Sequence, residues 1–204
     1  MRERLGDGLF RILVPFEAIT TTVYVAVYDE GVAIIDSATY PSDVDEYILP
    51  ALAEMGVRDE DVRYLLLTHD HGDHAGGLGR LREVFPRATV GAFFALSDAQ
   101  RLTDGQVLLG GLQVVHLSGH TDTAVGFLDR RTDTLLSGDC LQLGGVDKYR
   151  DGVSDRGQYE ASIEKLRGMT VRRIVAAHEY EPLGSIADGK TAVKRYLDEC
   201  IRLM

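Results

Sequence analysis

The sequence predicts an α/β sandwich with its chemistry at strand ends, and three observations lead there. Short apolar, β-branched runs fall into two groups. Amphipathic stretches able to cover their outer faces lie between and after them. Histidine or aspartate stands directly after several of the runs. At 204 residues the chain suits one domain with a sizeable core, and residues 1–204 are read as a single domain.

In the first group, Leu9–Val14, Thr22–Tyr28 and Val32–Ile35 read as strands, with Asp29-Glu30-Gly31 as a hairpin-like turn. Ser42 is the expected N-cap of a helix, with Glu46 a turn later. Its apolar stripe is Val44, Ile48, Leu49, Leu52 and Met55, and Gly56 ends it. Val62–Thr68 reads as a buried strand leading into His69-Asp70-His71-Gly72-Asp73-His74. A helix through Leu78, Leu81 and Val84 to Phe85 follows, stopped by Pro86. The second half looks like a looser copy of this order. Strands are expected at Thr89–Phe93, Leu112–His116, Ala124–Leu128, Thr134–Leu136 and Arg173–Ala177. Helices are expected at Tyr159–Arg167 and Thr191–Arg202, and a loop over Gln142–Gly157.

Bulk properties narrow the class. Hydrophobic residues make up 45% and charged residues 26%, and no apolar run is long enough to span a membrane. Met1–Phe10 carries charges without an apolar core, which argues against a secretory signal. The net charge of −10 repels phosphate backbones, so neither nucleic acid nor membrane is expected as a partner. Cys140 and Cys200 make no disulfide framework and read as reduced thiols of a cytoplasmic protein.

The chemistry is concentrated in the histidines and aspartates. His69, His71 and His74 lie together just past a strand, where a loop can turn several side chains inward as a regular strand cannot. Neutral imidazole and carboxylate are the ligands expected for zinc and related divalent ions. No thiolate joins the cluster, which argues against a closed structural zinc site. His120 follows a strand in Ser118-Gly119-His120-Thr121, Asp139 follows one in Ser137-Gly138-Asp139-Cys140, and His178 closes another. Three occurrences of "apolar strand, then His or Asp" point to one shared site. His116 falls inside a strand pattern and reads as structural. Asp36, at the end of Val32–Ile35, is placed to orient the first histidine loop through its carboxylate. Thr68, Ser118 and Thr121 read either as further supporting groups or as turn caps.

His69-x-His71-x-Asp73-His74, then Gly119-His120-Thr121, Gly138-Asp139 and Ala177-His178, resembles the metallo-β-lactamase superfamily. The resemblance runs from Phe10 to His178 in the family's order, and every ligand position is filled. It implies a four-layer αββα sandwich of two mixed β-sheets flanked by helices, with two metals at the edge of the paired sheets. His69, His71 and His120 would bind the first ion, and Asp73, His74 and His178 the second. Asp139 would bridge them, and Asp73 would orient the hydroxide and shuttle its proton. The ions implied are two divalent metals, zinc first, with iron or manganese also accommodated.

The resemblance hosts many chemistries. Asp139 stands where one group of zinc β-lactamases places a cysteine ligand, and other β-lactamases lack this aspartate, so β-lactam hydrolysis is the less favoured option. The ligand set is most similar to glyoxalase II, as is His178-Glu179-Tyr180, although little more than one helix follows His178. Lactonases share the set but place a tyrosine soon after the aspartate, where Leu141 and Gln142 stand here; Tyr149 lies further on. In Asp147-Lys148-Tyr149-Arg150, two cations flank an aromatic, which suits either a substrate carboxylate or a solvated loop. Lys148, Tyr149, Arg150 and Tyr180 are the candidate substrate-binding residues. The expected function is hydrolysis of a small-molecule ester, lactone or thioester. A phosphodiesterase, a β-lactamase or a non-enzymatic metal-binding module are the alternatives.

Overall fold

The computed structural model describes residues 1–141, 154–179 and 184–202. The chain divides into two compact units, Met1–Leu102 and Thr103–Met204. Each is built on one mixed sheet with helices packed against a face of it.

In the first unit the strands are β1 (Arg2–Gly6), β2 (Leu9–Phe16), β3 (Ile19–Tyr28), β4 (Gly31–Ile35), β5 (Val62–Leu66), β6 (Thr89–Ala92) and β7 (Gln100–Arg101), hydrogen-bonded in that order. Pairing is antiparallel from β1 to β4 and parallel from β4 to β7. Alternate residues share a face, so Ile12 and Val14, Val23 and Val25, and Val32 and Ile34 come together. They form one core with Val44, Ile48, Leu52, Leu78, Leu81 and Phe85 from the helices. Burying each such side chain stabilises the unit by about 1.5–3 kcal/mol.

The first helical stretch departs from expectation. It begins as α1 (Pro41–Asp43) with Tyr40 as N-cap, not Ser42. Asp43 decides this: its carboxylate accepts from the N–H groups of Thr39 (3.1 Å) and Tyr40 (2.8 Å). Proline at the first helical position sacrifices no bond there. The chain then widens into a π-turn (Val44–Ile48) before α2 (Leu49–Glu54). Pro50 supplies the reason, since it lacks an N–H and its ring would strike the carbonyl of Glu46 in a regular helix. α3 (Gly72–Ala75) and α4 (Leu78–Val84) complete the unit.

The second unit contains β8 (Val107–Leu108), β9 (Leu112–His116), β10 (Val125–Asp129), β11 (Thr134–Gly138), β12 (Arg173–Ala176) and β13 (Ile186–Asp188), in the sheet order β13-β12-β11-β10-β9-β8. Only β11 and β12 pair in parallel. β9 and β11 both run antiparallel to β10, so β9, β11 and β12 point the same way and end at one edge. α5 (Arg156–Arg167) starts at Asp155, whose side chain accepts from the N–H of Gln158 at 2.9 Å. With α6 (Lys190–Arg202) it covers a core of Val115, Leu117, Leu135 and Ile174, supplying Tyr159, Ile163, Val193 and Leu197. No helix among the described residues is long and apolar enough to cross a membrane.

Candidate metal centre

The first unit gathers Asp36, Thr68, His69, His71, Asp73 and His74 through adjacent parallel strands. Asp36 follows β4 and Thr68-His69 follow β5, so both emerge at the same sheet edge. That edge, outside the carboxyl ends of parallel strands, is where open α/β sheets place their ligands. Asp36 is 2% exposed and its φ of 64° is left-handed, a conformation tolerated by aspartate better than by most residues. One carboxylate oxygen accepts from the Thr68 N–H at 2.8 Å, and the Thr68 hydroxyl reaches both oxygens at 3.0 and 2.9 Å. The other oxygen lies 2.8 Å from His74 Nδ1.

These bonds assign two tautomers. An ionised carboxylate only accepts, so His74 Nδ1 must carry the proton and Nε2 keeps its lone pair. The Thr68 hydroxyl spends its proton on Asp36, so at 3.0 Å it accepts from His69 Nδ1. His69 Nε2 is therefore also the basic nitrogen. One buried carboxylate thus sets the tautomers of two imidazoles that could serve as metal ligands.

α3 places the rest of the motif. His71 is its N-cap and its carbonyl accepts from the His74 N–H at 3.1 Å, which turns Asp73 and His74 back toward His69. The His69 ring centroid lies 4.6 Å from that of His71 and 4.3 Å from that of His74. His74 Nε2 stands 3.4 Å from Asp73 Oδ2. The loop is held from behind: Ser37 donates to the His74 carbonyl through N–H (2.7 Å) and hydroxyl (2.9 Å). A Cβ on Gly76 would fall 1.9 Å from the Thr39 carbonyl oxygen, and one on Gly77 would fall 2.1 Å from that of Ser37. Sequence reading missed Ser37, Gly76 and Gly77. The glycine pair directly after the motif was the available signal, but not what it packs against.

In the second unit three strand ends each deliver one residue. His120 follows β9 through Gly119, whose φ is 134° and whose Cβ would meet Tyr159 Cα at 2.6 Å. The Gly119 carbonyl accepts from the N–H groups of Ser154 (2.7 Å) and Asp155 (3.0 Å), pinning this turn to the start of α5. Asp139 follows β11 through Gly138, at φ 52°, and His178 follows the neighbouring β12. The Gly138 carbonyl accepts from the Ala177 N–H at 3.2 Å. All three side chains are buried. Asp139 Oδ1 is 3.3 Å from His178 Nε2, and Asp139 Oδ2 is 3.8 Å from His120 Nε2. The two oxygens of one carboxylate therefore face two different imidazoles.

Donor atoms around a tetrahedral ion at about 2.0–2.1 Å are about 3.3–3.4 Å apart. His74 with Asp73, and His178 with Asp139, meet that spacing, while the 3.8 Å edge fits a wider angle. Burial, neutral nitrogen donors and carboxylate oxygens all suit divalent ions, so the residues fit the metals the family resemblance implies.

Other sequence-selected residues lie outside this chemistry. His116 Nε2 donates to the Asp122 carbonyl at 2.9 Å, and its backbone binds Asp104 and Lys165, so it staples a turn. Cys140 and Cys200 are buried, and burial pushes the Cys200 thiol up to about 12, leaving it protonated at neutral pH. Lys148, Tyr149, Arg150 and Tyr180 fall outside the described residues.

Several known proteins are similar to this chain. The family model of the metallo-beta-lactamase superfamily matches residues 17–92. The uncharacterized protein YobT of Bacillus subtilis is 30% identical over 164 residues, 66% of this chain and 65% of that one. A hydroxyacylglutathione hydrolase of Francisella philomiragia is 28% identical over 151 residues, 70% of this chain and 56% of that one. A metallo-beta-lactamase family protein of Thermus thermophilus has the same fold, with a TM-score of 0.76 and 23% identity, over 98% of this chain and 80% of that one. The chain has the α/β fold of the metallo-β-lactamase superfamily. The match spans less than two thirds of the length of YobT and of the Francisella enzyme.

Proposed function

We propose that the chain is a dinuclear metal-dependent hydrolase of a small-molecule ester, lactone or thioester. Thioesters come first, because hydroxyacylglutathione hydrolases stand among its relatives. The observation that carries the reading is Asp139, with each carboxylate oxygen turned to a different imidazole. In this assignment His69, His71 and His120 hold one ion, Asp73, His74 and His178 hold the other, and Asp139 bridges them. Sharing one centre would make residues 1–204 a single functional domain.

Two divalent ions bound there would supply a water acidic enough to be hydroxide near neutral pH, and a Lewis acid for the substrate carbonyl. Zinc suits the donor set first, and iron and manganese also accept it. The chain's own part is preparation. Asp36 holds His74, and through Thr68 also His69, in the tautomers that offer Nε2. Asp73, whose side chain is 15% exposed against 8% for Asp139, is the carboxylate placed to take the proton of the attacking water. The buried imidazoles keep bulk water from competing for these positions.

The test is metal analysis of metal-replete protein together with assays on thioesters, lactones, β-lactams and phosphodiesters. About two ions per chain with thioester or ester turnover is the expected result. Turnover confined to a phosphodiester or a β-lactam would overturn the substrate class. Absence of stoichiometric metal would overturn the whole reading.

A further inference from the structure

The second unit carries a pocket of about 450 Å³ among the end of α5, residues 168–172 and the start of α6. None of its lining residues belongs to the proposed metal set. Its floor is apolar, formed by Leu166, Met169, Val171, Val193 and Leu197. Its rim is cationic, formed by Arg167, Arg172, Lys190 and Lys194. Lys190, Val193, Lys194 and Leu197 follow the i, i+3, i+4, i+7 rule, so one stripe of α6 supplies both the floor and half the rim.

Four cations around one apolar hollow are unexpected in a chain of net charge −10. Two of them are paired: Arg167 with Glu164 and with Asp198 at 2.7 Å, and Lys194 with Asp198 at 3.0 Å. Arg172 and Lys190 have no side-chain hydrogen bond or ion pair among the described residues. Asp188 pairs with Arg173 at 2.6 Å, and the Arg172 charge acts on it only at longer range. The pocket's size is that of a small-molecule site, and its build is that of one: an apolar body with a few converging polar groups.

We propose that this pocket binds an aliphatic carboxylate, its chain on the Leu166–Val171–Val193–Leu197 floor and its carboxylate on Arg172 and Lys190. The guanidinium fork suits a carboxylate, and the floor rewards each methylene buried by about 0.8 kcal/mol. An inorganic anion would use the rim and leave the floor unused.

The proposal is independent of the hydrolase reading, and calorimetric titration of the metal-loaded full chain tests it. The probes are decanoate, acetate and inorganic phosphate. One saturable decanoate site is expected, at least tenfold tighter than acetate or phosphate and weakened by salt. Arg172→Gln with Lys190→Gln should weaken decanoate at least tenfold while leaving metal content and thermal midpoint unchanged. Thr170→Trp, which fills the hollow and spares both cations, should abolish binding. Decanoate binding that survives both variants, phosphate binding as tight as decanoate, or non-saturating uptake would each overturn the proposal. So would a dimer disrupted by Val193→Glu in a protein that binds no decanoate, which would assign the face to a second copy.

Discussion

The two units prepare their candidate ligands in opposite ways. In the first, four candidate ligands lie between His69 and His74, and a buried polar network centred on Asp36 orients His69 and His74. In the second, His120, Asp139 and His178 come from three separate strands, and backbone direction does most of the work. Glycine turns at Gly119 and Gly138 aim two of them. The first unit is therefore vulnerable in its side-chain chemistry, and the second in its backbone geometry.

The sharpest break is expected at Asp139. Asp139→Ala removes both oxygens that face His120 and His178, so metal content should fall from about two ions per chain to about one. Turnover should drop by more than about 100-fold, since groups that merely support ligands already account for 10–100-fold. Two ions with full activity in this variant would refute the bridging role.

Next comes Asp36→Asn, which keeps the size and the tolerance for left-handed φ. Its amide must donate where the carboxylate accepted. If it donates to His74 Nδ1, the tautomer reverses and Nε2 gains a proton. Metal affinity should fall by about 10–100-fold, measured by chelator competition, while apo-protein stability changes little. Unaltered affinity would show that the network does not prepare the ligands.

Backbone vulnerability is tested at Gly119. Alanine there must adopt φ 134° and place a Cβ 2.6 Å from Tyr159 Cα. The expected loss is about 2–4 kcal/mol in urea unfolding. Gly56→Ala is the control: its φ is 72° but nothing lies within 4 Å of the added Cβ, so about 1 kcal/mol is expected. Equal losses would mean that crowding against α5 does not matter.

The smallest effect is electrostatic. Burial alone would raise the Asp104 carboxyl, but Lys165 at 2.8 Å and the His116 N–H together hold it below the usual carboxylate range. A value lowered by folding stabilises the protein above the unfolded value and loses that contribution as pH falls through the folded one. Asp104→Asn should therefore lower stability at neutral pH by about 0.5–1 kcal/mol, because the pair is solvent-screened. The difference should vanish once the pH has fallen below the lowered folded value of Asp104.

Much of this was legible because it is local. Apolar strands followed by His or Asp, and the dense motif at His69–His74, announce both the elements and the candidate ligands. β7 and β8, of two residues each, are too short to show alternation, and β1 is a charged edge strand. The π-turn follows from Pro50 only once the helix is known to continue through it. Asp36 stood out by its position at a strand end, but its reach to His74 and through Thr68 to His69 depends on β4 pairing with β5.

By itself, then, the sequence determined the α/β class, the strand-end placement of the chemistry and the donor types, because these depend on residue identity and short-range periodicity. The tertiary structure decided which imidazole nitrogen is basic, how the two oxygens of Asp139 are shared, and which cations around the α5–α6 pocket make no ion pair among the described residues. Those depend on distances between residues far apart in the chain. Only the paired strands and packed helices fix such distances.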